Sequence, residues 1–186
     1  MDATETQTFD DDGFRQRAEA LEWLLFDVDG VLTDGRLIYT RRGETVKPFN
    51  VRDGLGFRLA QRAGLKLGFL SGRRSRPLEF RAEELDIDEV ILGSGDKDAD
   101  LDAFLARQGT SASRVAFVGD DLPDLPVLRR CGLSFAPADA VAEVRAVVNR
   151  VLTRDGGDGA AREMIEQILR ARGEWQRVMA HYSLDG

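Results

Sequence analysis

Two carboxylic acids one residue apart, Asp27 and Asp29, follow the apolar run Trp23-Leu24-Leu25-Phe26 and stand just before Gly30. A carboxylate so placed can attack phosphorus and form an acyl phosphate once a cation offsets the repulsion between two anions. A second carboxyl two residues later can protonate the leaving alcohol and then take a proton from water. That division of labour requires surroundings that separate the two titrations. Three more apolar runs end in residues of the same kind. Leu67-Gly68-Phe69-Leu70 leads into Ser71-Gly72-Arg73, where a hydroxyl and nearby amides can hold phosphoryl oxygens. Lys97 comes just after Glu89-Val90-Ile91-Leu92-Gly93-Ser94-Gly95-Asp96, and Asp120-Asp121 closes Val115-Ala116-Phe117-Val118-Gly119. Alone, a lysine opening a helix is a solvated side chain and Ser-Gly after a strand is a common turn. Together the four supply a nucleophilic acid, a hydroxyl, a cation and an acid pair, the set a phosphate ester hydrolase needs. Paired acids without a neighbouring histidine or cysteine suit a hard, hydrated cation, and Mg2+ is the natural one.

Short apolar runs that stop at polar residues are the pattern of buried strands in a parallel sheet, whose carboxyl ends are where ligands bind. Strands are expected at 23–26 and near 66, 89, 114, 133 and 150, alternating with helices at 53–63, 75–85, 97–108, 122–131 and 139–148. This alternation predicts an α/β fold, a three-layer Rossmann-like, mainly parallel sheet. Leu37-Ile38-Tyr39-Thr40 and Thr45-Val46-Lys47 flank Arg41-Arg42-Gly43-Glu44, a hairpin signal that gives an insertion at 36–47. The intervals between Asp29, Ser71 and Lys97 are filled by that hairpin and single helices, so no separate cap domain fits. Residues 1–20, with Asp2, Glu5, Asp10, Asp11, Asp12 and Glu19, read as an acidic, partly disordered leader. Residues 21–175 form one domain that includes the tail from 155, and 176–186 are the C-terminal end. An amphipathic helix near 160–172 follows the glycine-rich stretch 156–159.

The 186 residues are 42% hydrophobic, enough for one domain that buries on the order of 70% of its unfolded surface. The net charge of −7 and scattered basic residues exclude nucleic acid and anionic membranes as partners. A single Cys131 allows no internal disulfide, and no signal peptide or long apolar run is seen, which predicts a cytoplasmic protein. Cys131 reads as a small buried residue, and His181 as an exposed, inert one.

The four segments, in this order, resemble the motifs of the haloacid dehalogenase superfamily of phosphatases. The resemblance implies that Asp27 is the nucleophile, Asp29 the general acid and base, Ser71 an orienting group for the phosphoryl, and Lys97 a stabiliser of charge. Asp27, the Asp29 backbone carbonyl and Asp120 would hold Mg2+, with Asp121 behind them orienting the metal's waters. Asp27 to Gly35, Lys47 to Gly56, Ser71-Gly72-Arg73 and Gly156 to Glu163 are similar to the 3-deoxy-D-manno-octulosonate 8-phosphate phosphatase family. That likeness spans about residues 21–175. It implies that Asp29, Asn50, Val51, Arg52, Asp53, Gly54, Arg58, Gly72, Arg73, Arg81 and Lys97 line the substrate site. It also implies a homotetramer; with no room for a cap, the hairpin at 36–47 is expected to pair with copies of itself and the tail from Gly156 to reach a neighbouring site, a flexible linker being the equal alternative for that stretch. Gly93-Ser94-Gly95-Asp96 departs from the glutamine- and aromatic-rich run the family carries before its lysine. Arginine forks suit the carboxylate of a keto-sugar acid, although solvated helix faces are the plainer role for Arg58 and Arg81. Three rivals stay open at this point: a phospho-accepting receiver, a non-catalytic oligomerisation domain of the same fold, and a phosphatase of nine-carbon keto-acid 9-phosphates.

Overall fold

The computed structural model describes residues 11–41 and 43–182. The chain runs α1 (Asp11–Ala20), β1 (Trp23–Phe26), β2 (Ile38–Thr40), β3 (Gly43–Val46), α2 (Val51–Arg62), β4 (Lys66–Ser71) and α3 (Arg76–Glu84). It continues through β5 (Glu89–Leu92), α4 (Lys97–Gln108), β6 (Val115–Val118), α5 (Leu125–Arg130), β7 (Leu133–Ala136) and α6 (Ala142–Arg145). It ends in β8 (Arg150–Val151), α7 (Ala160–Ala171) and α8 (Trp175–Met179). Six strands form one sheet in the order β5-β4-β1-β6-β7-β8, and every neighbouring pair is parallel. The α/β, Rossmann-like expectation is met. Phe26 lies opposite Phe69 of β4 on one side and Val118 of β6 on the other, so three strands end nearly level. The residues that follow them are thereby brought to one place.

Side chains along β1 alternate between two cores, as the pleat demands. Leu24 and Phe26 face a core closed by α1, α2, α3, α7 and α8, whereas Trp23 and Leu25 face one closed by α4, α5 and α6. β2 and β3 pair antiparallel outside the sheet as the expected hairpin; Arg42 of its turn lies outside the described residues. Helix bounds differ from expectation by at most two residues, apart from α5, which a 3-10 turn at Leu122–Asp124 precedes, and the last before β8, where only Ala142–Arg145 is α-helical. There the chain turns at Ala146 and Val147, with the Val147 N–H donating to the Val144 carbonyl at 3.1 Å, before β8 begins.

Two expectations about the ends of the chain are corrected. Residues 11–20 are not a disordered leader; they form α1, which buries Phe14 and Ala18, one turn apart. Phe14 sits edge-on to Phe135 at 6.1 Å, and Arg17 donates to the Gly132 carbonyl at 3.0 Å. A high charge count hid this because a two-residue stripe suffices to dock a short helix. Residues 1–10 lie outside the described residues. Nor do the described residues of the tail, 155–182, begin as a free arm or linker. Residues 156–157 pack on residues 30–34 of their own chain, and α7 buries Ala160, Ala161, Met164, Ile165, Ile168 and Leu169 against the shared core. Fully burying Met164, Ile165, Ile168 and Leu169 contributes about 6–12 kcal/mol, of the same order as a whole domain's stability. Deleting residues 155–186 is therefore expected to abolish the cooperative thermal transition seen by circular dichroism. A truncated chain melting cooperatively near the parent Tm would show that α7 is dispensable.

Candidate active site

Where β1, β4 and β6 end, three acids and one lysine meet. Lys97, the first residue of α4, donates from Nζ to Asp27 Oδ1 and to Asp124 Oδ1, each at 2.6 Å. All three residues are buried. Asp96 fixes the start of α4 by accepting from the backbone N–H groups of Asp98 and Ala99, which leaves Lys97 aimed back over the sheet. Asp124 ends a 3-10 turn at Leu122–Asp124, and its Oδ2 accepts from the backbone of Asp120 at 3.0 Å and of Asp121 at 3.3 Å. One carboxylate thus ties the lysine to the loop after β6. Glycine is required on both sides of the cluster: a Cβ on Gly119 would lie 2.6 Å from Asp124, and one on Gly30 2.0 Å from Asp120 Oδ2. Ser71 is buried at the end of β4, and its Oγ accepts from the Arg73 N–H at 3.3 Å.

Oxygens of Asp27, Asp120 and Asp124 all lie within 4.8 Å of one another. Three carboxylates face a single ammonium, and little water screens them. Burial, then the Asp124 charge, holds the Asp27 carboxyl above its ordinary value, although Lys97 pulls the other way. Asp120 is pushed up to about 8 by burial and by the charges of Asp27 and Asp124. Burial pulls Lys97 down, but the two acids outweigh it and its ammonium is held above the ordinary range. A hard divalent cation fits this donor set, because oxygen ligands and surplus negative charge are what it requires.

Asp29 has a different partner: Lys47 Nζ donates to its Oδ1 at 2.6 Å. Lys47 follows β3, so the hairpin delivers a buried cation to the second acid of the pair. Beyond it opens a pocket of about 340 Å³ whose lining includes Lys47, Phe49, Phe80 and Arg81.

Residues 87–164 match the family model of haloacid dehalogenase-like hydrolases. The 3-deoxy-D-manno-octulosonate 8-phosphate phosphatase of Haemophilus influenzae is 42% identical over 160 residues, which cover 86% of this chain and 89% of that protein. The chain belongs to the haloacid dehalogenase superfamily of phosphatases. It is a phosphoric monoester hydrolase. A probable YrbI family phosphatase from Pseudomonas syringae superposes with a TM-score of 0.90 at 42% identity, covering 94% of this chain and 99% of that one. The Moraxella catarrhalis 3-deoxy-D-manno-octulosonate 8-phosphate phosphatase, solved with magnesium, phosphate and KDO, gives 0.88 at 36% identity, covering 91% and 98%.

The structure gives partners within the chain to several residues expected at the phosphatase's substrate site. Arg58 is drawn to the far end of α3, donating to Asp86 Oδ2 at 2.6 Å and to the Glu84 carbonyl at 2.7 Å. Asp53 is buried, accepts from the Arg162 N–H at 2.8 Å at the start of α7, and has its carboxyl raised by burial to about 6. Gly54 is pressed against Arg81, whose Nη2 a Cβ would approach to 2.5 Å. Asp121, expected to orient the metal's waters, is exposed and caps the 3-10 turn through the Leu122 N–H; Asp124 takes the inner place. Asn50 caps α2 by accepting from Arg52 N–H at 2.9 Å, while Val51 and Arg52 are exposed beside it. Gly72 and Arg73 follow Ser71, with Arg73 Nη2 donating to the Tyr39 hydroxyl at 3.0 Å. Arg81 reaches Glu84 and the Asn50 carbonyl.

Two residues of the site, Lys47 and Asp124, escaped the sequence reading. Asp124 was findable as an acid opening a helix four residues after Asp120; Lys47 carried no comparable signal.

The raised carboxyls yield a test. Between the ordinary 3.8 and about 8, the folded chain without metal binds more protons at Asp120 than the unfolded chain does. That contribution to stability therefore falls as pH rises, and a bound cation offsets it. Magnesium chloride is expected to raise Tm more at pH about 8 than at pH about 5. Equal shifts at both would place cation binding away from this cluster.

Proposed function

We propose that this phosphatase hydrolyses 3-deoxy-D-manno-octulosonate 8-phosphate to the free sugar acid and phosphate, a step that supplies lipopolysaccharide synthesis in the cytoplasm. The observation that carries the proposal is the separate pairing of the two acids of the first motif: Asp27 is held by Lys97 beside the acid cluster, and Asp29 by Lys47, which also lines the pocket with Arg81. In the first step an Asp27 oxygen bonds to phosphorus while the bond from phosphorus to the sugar oxygen breaks, and Asp29 gives its proton to that oxygen. In the second, Asp29 takes a proton from water, whose oxygen attacks the phosphorus and releases Asp27. Ser71 and the amides about Gly72 hold phosphoryl oxygens, and Lys97 offsets charge on Asp27 and the phosphoryl group. A divalent cation, magnesium by the chemistry of the donors, would be held by Asp27, Asp120 and the Asp29 carbonyl and would neutralise charge between nucleophile and phosphate. Lys47, Arg73 and Arg81 give the sugar side the cations that an anionic keto acid needs.

The test compares kcat/KM across keto-sugar phosphates with magnesium present. The eight-carbon 8-phosphate is expected to lead, and preference for a nine-carbon 9-phosphate would overturn the substrate assignment. Asp27→Asn should stay folded and lose roughly a thousandfold or more in turnover, since an amide cannot form the phosphoenzyme. Turnover near the parent's would remove Asp27 as nucleophile.

With no cap over the site among the described residues, subunit contact is the means we assign for covering the sugar. Leu37, Ile38, Tyr39 and Val46 leave apolar side chains exposed on and beside the hairpin, and we place the homotetramer contact there. Ile38→Asp is expected to give smaller species in analytical ultracentrifugation. An unchanged sedimentation coefficient would move the interface elsewhere.

A further inference from the structure

The stretch 155–159 connects β8 at the sheet edge to α7, and a connection of that kind needs no contact with the site. This one is seated on it. Gly157 N–H donates to the Val31 carbonyl at 2.9 Å, and Gly156 N–H to Asp139 Oδ1 at 2.9 Å. The Asn50 amide donates to the Gly157 carbonyl at 3.1 Å. Three segments around the site, the turn after β1, the start of α2 and the loop after β7, thereby share one strap.

The fit leaves no room for a side chain. A Cβ on Gly156 would stand 1.9 Å from the Gly30 carbonyl oxygen, and one on Gly157 2.6 Å from Asp34 N. Gly157 also has φ +72°, in the left-handed region that favours glycine. Gly30 is closed from its other side by Asp120, so it is held between the acid cluster and Gly156. Its position sets that of Asp29, the residue before it.

We propose that Gly156 and Gly157 form a clasp that positions Asp29 for proton transfer, with Asp139 holding the clasp in place. The inference rests on the role given to Asp29 above. Gly156 and Gly157 are positioning residues and touch no reacting atom. A methyl group at 156 must move either the clasp or Gly30. Displacements of about 1 Å at a proton-transferring group cost on the order of a hundredfold in rate.

A misplaced general acid harms substrates whose leaving group needs a proton and spares those whose leaving group does not. The experiment measures kcat/KM for aryl phosphates from 4-nitrophenyl to 4-methoxyphenyl phosphate, which lack any sugar contact, at saturating magnesium. Gly156→Ala is expected to lower the value about a hundredfold for the poorest leaving group and less than about tenfold for nitrophenyl. The dependence on leaving-group pKa is thereby steepened. Asp139→Ala, at an exposed residue, should steepen it in the same sense, with about a fivefold loss on the poorest leaving group. Asp139→Asn retains an acceptor oxygen and should restore the parent slope. If Gly156→Ala does not fold, the Asp139 pair decides. Losses parallel across the series, or a parent slope in every folded variant, overturn the clasp while leaving the site's assignment intact. Phosphate release that survives Asp27→Asn overturns the assignment of the site and the clasp with it.

Discussion

Three carboxylates within reach of one another, answered by one buried ammonium, are the constraint around which this end of the molecule is built. Lys97 cannot be moved without leaving Asp27 and Asp124 as unpaired buried anions, an arrangement that costs several kcal/mol in proteins generally. Even with it, negative charge exceeds positive, and the carboxyls of Asp27 and Asp120 bind protons more tightly than free acids do. The same surplus that strains the cluster makes it receptive to a divalent cation. Stability given up here is the source of metal affinity, in keeping with functional sites violating local rules that the rest of a chain obeys.

Close approach comes next. Charges can be crowded in this way only if backbone segments come closer than any side chain permits, and glycine recurs at each such contact. Gly119 yields space to Asp124, Gly30 to Asp120, and Gly156 to Gly30 itself. The alternation of apolar residues along β1 anchors both cores, so the strand ends are held from two sides while the loops above them converge. A rigid sheet with crowded, side-chain-free turns holds the carboxylates where diffusing groups would repel.

The two acids of the first motif receive different partners from different parts of the chain. Asp27 is paired from α4, and Asp29 from the end of the hairpin. The hairpin therefore does two things at once: it carries exposed apolar residues on its strands and ends in the buried Lys47. Changes in its packing have a short path to Asp29. The receiver alternative is set aside by family membership, and intact acids and lysine in contact speak against a domain without catalysis.

Much of this was legible in the residues alone. Apolar runs ending in acids, a hydroxyl and a lysine are local patterns, and period and length suffice to read a parallel sheet and the identity of Asp27, Asp29, Ser71, Lys97 and Asp120 from them. What the sequence could not decide was which long side chains reach the site. Arg58 and Arg81 sit on helices with similar surroundings in sequence, yet one is captured by Asp86 and the other leans over Asn50. Asp53 accepts from the first turn of α7, because α2 and α7, more than a hundred residues apart, pack face to face. Asp124 and Lys47 took their roles from the same kind of long-range meeting. Local patterns determine strands and the residues at their ends, since those depend on nearest neighbours; side-chain partners across the fold depend on packing between distant segments, which only the tertiary structure fixes.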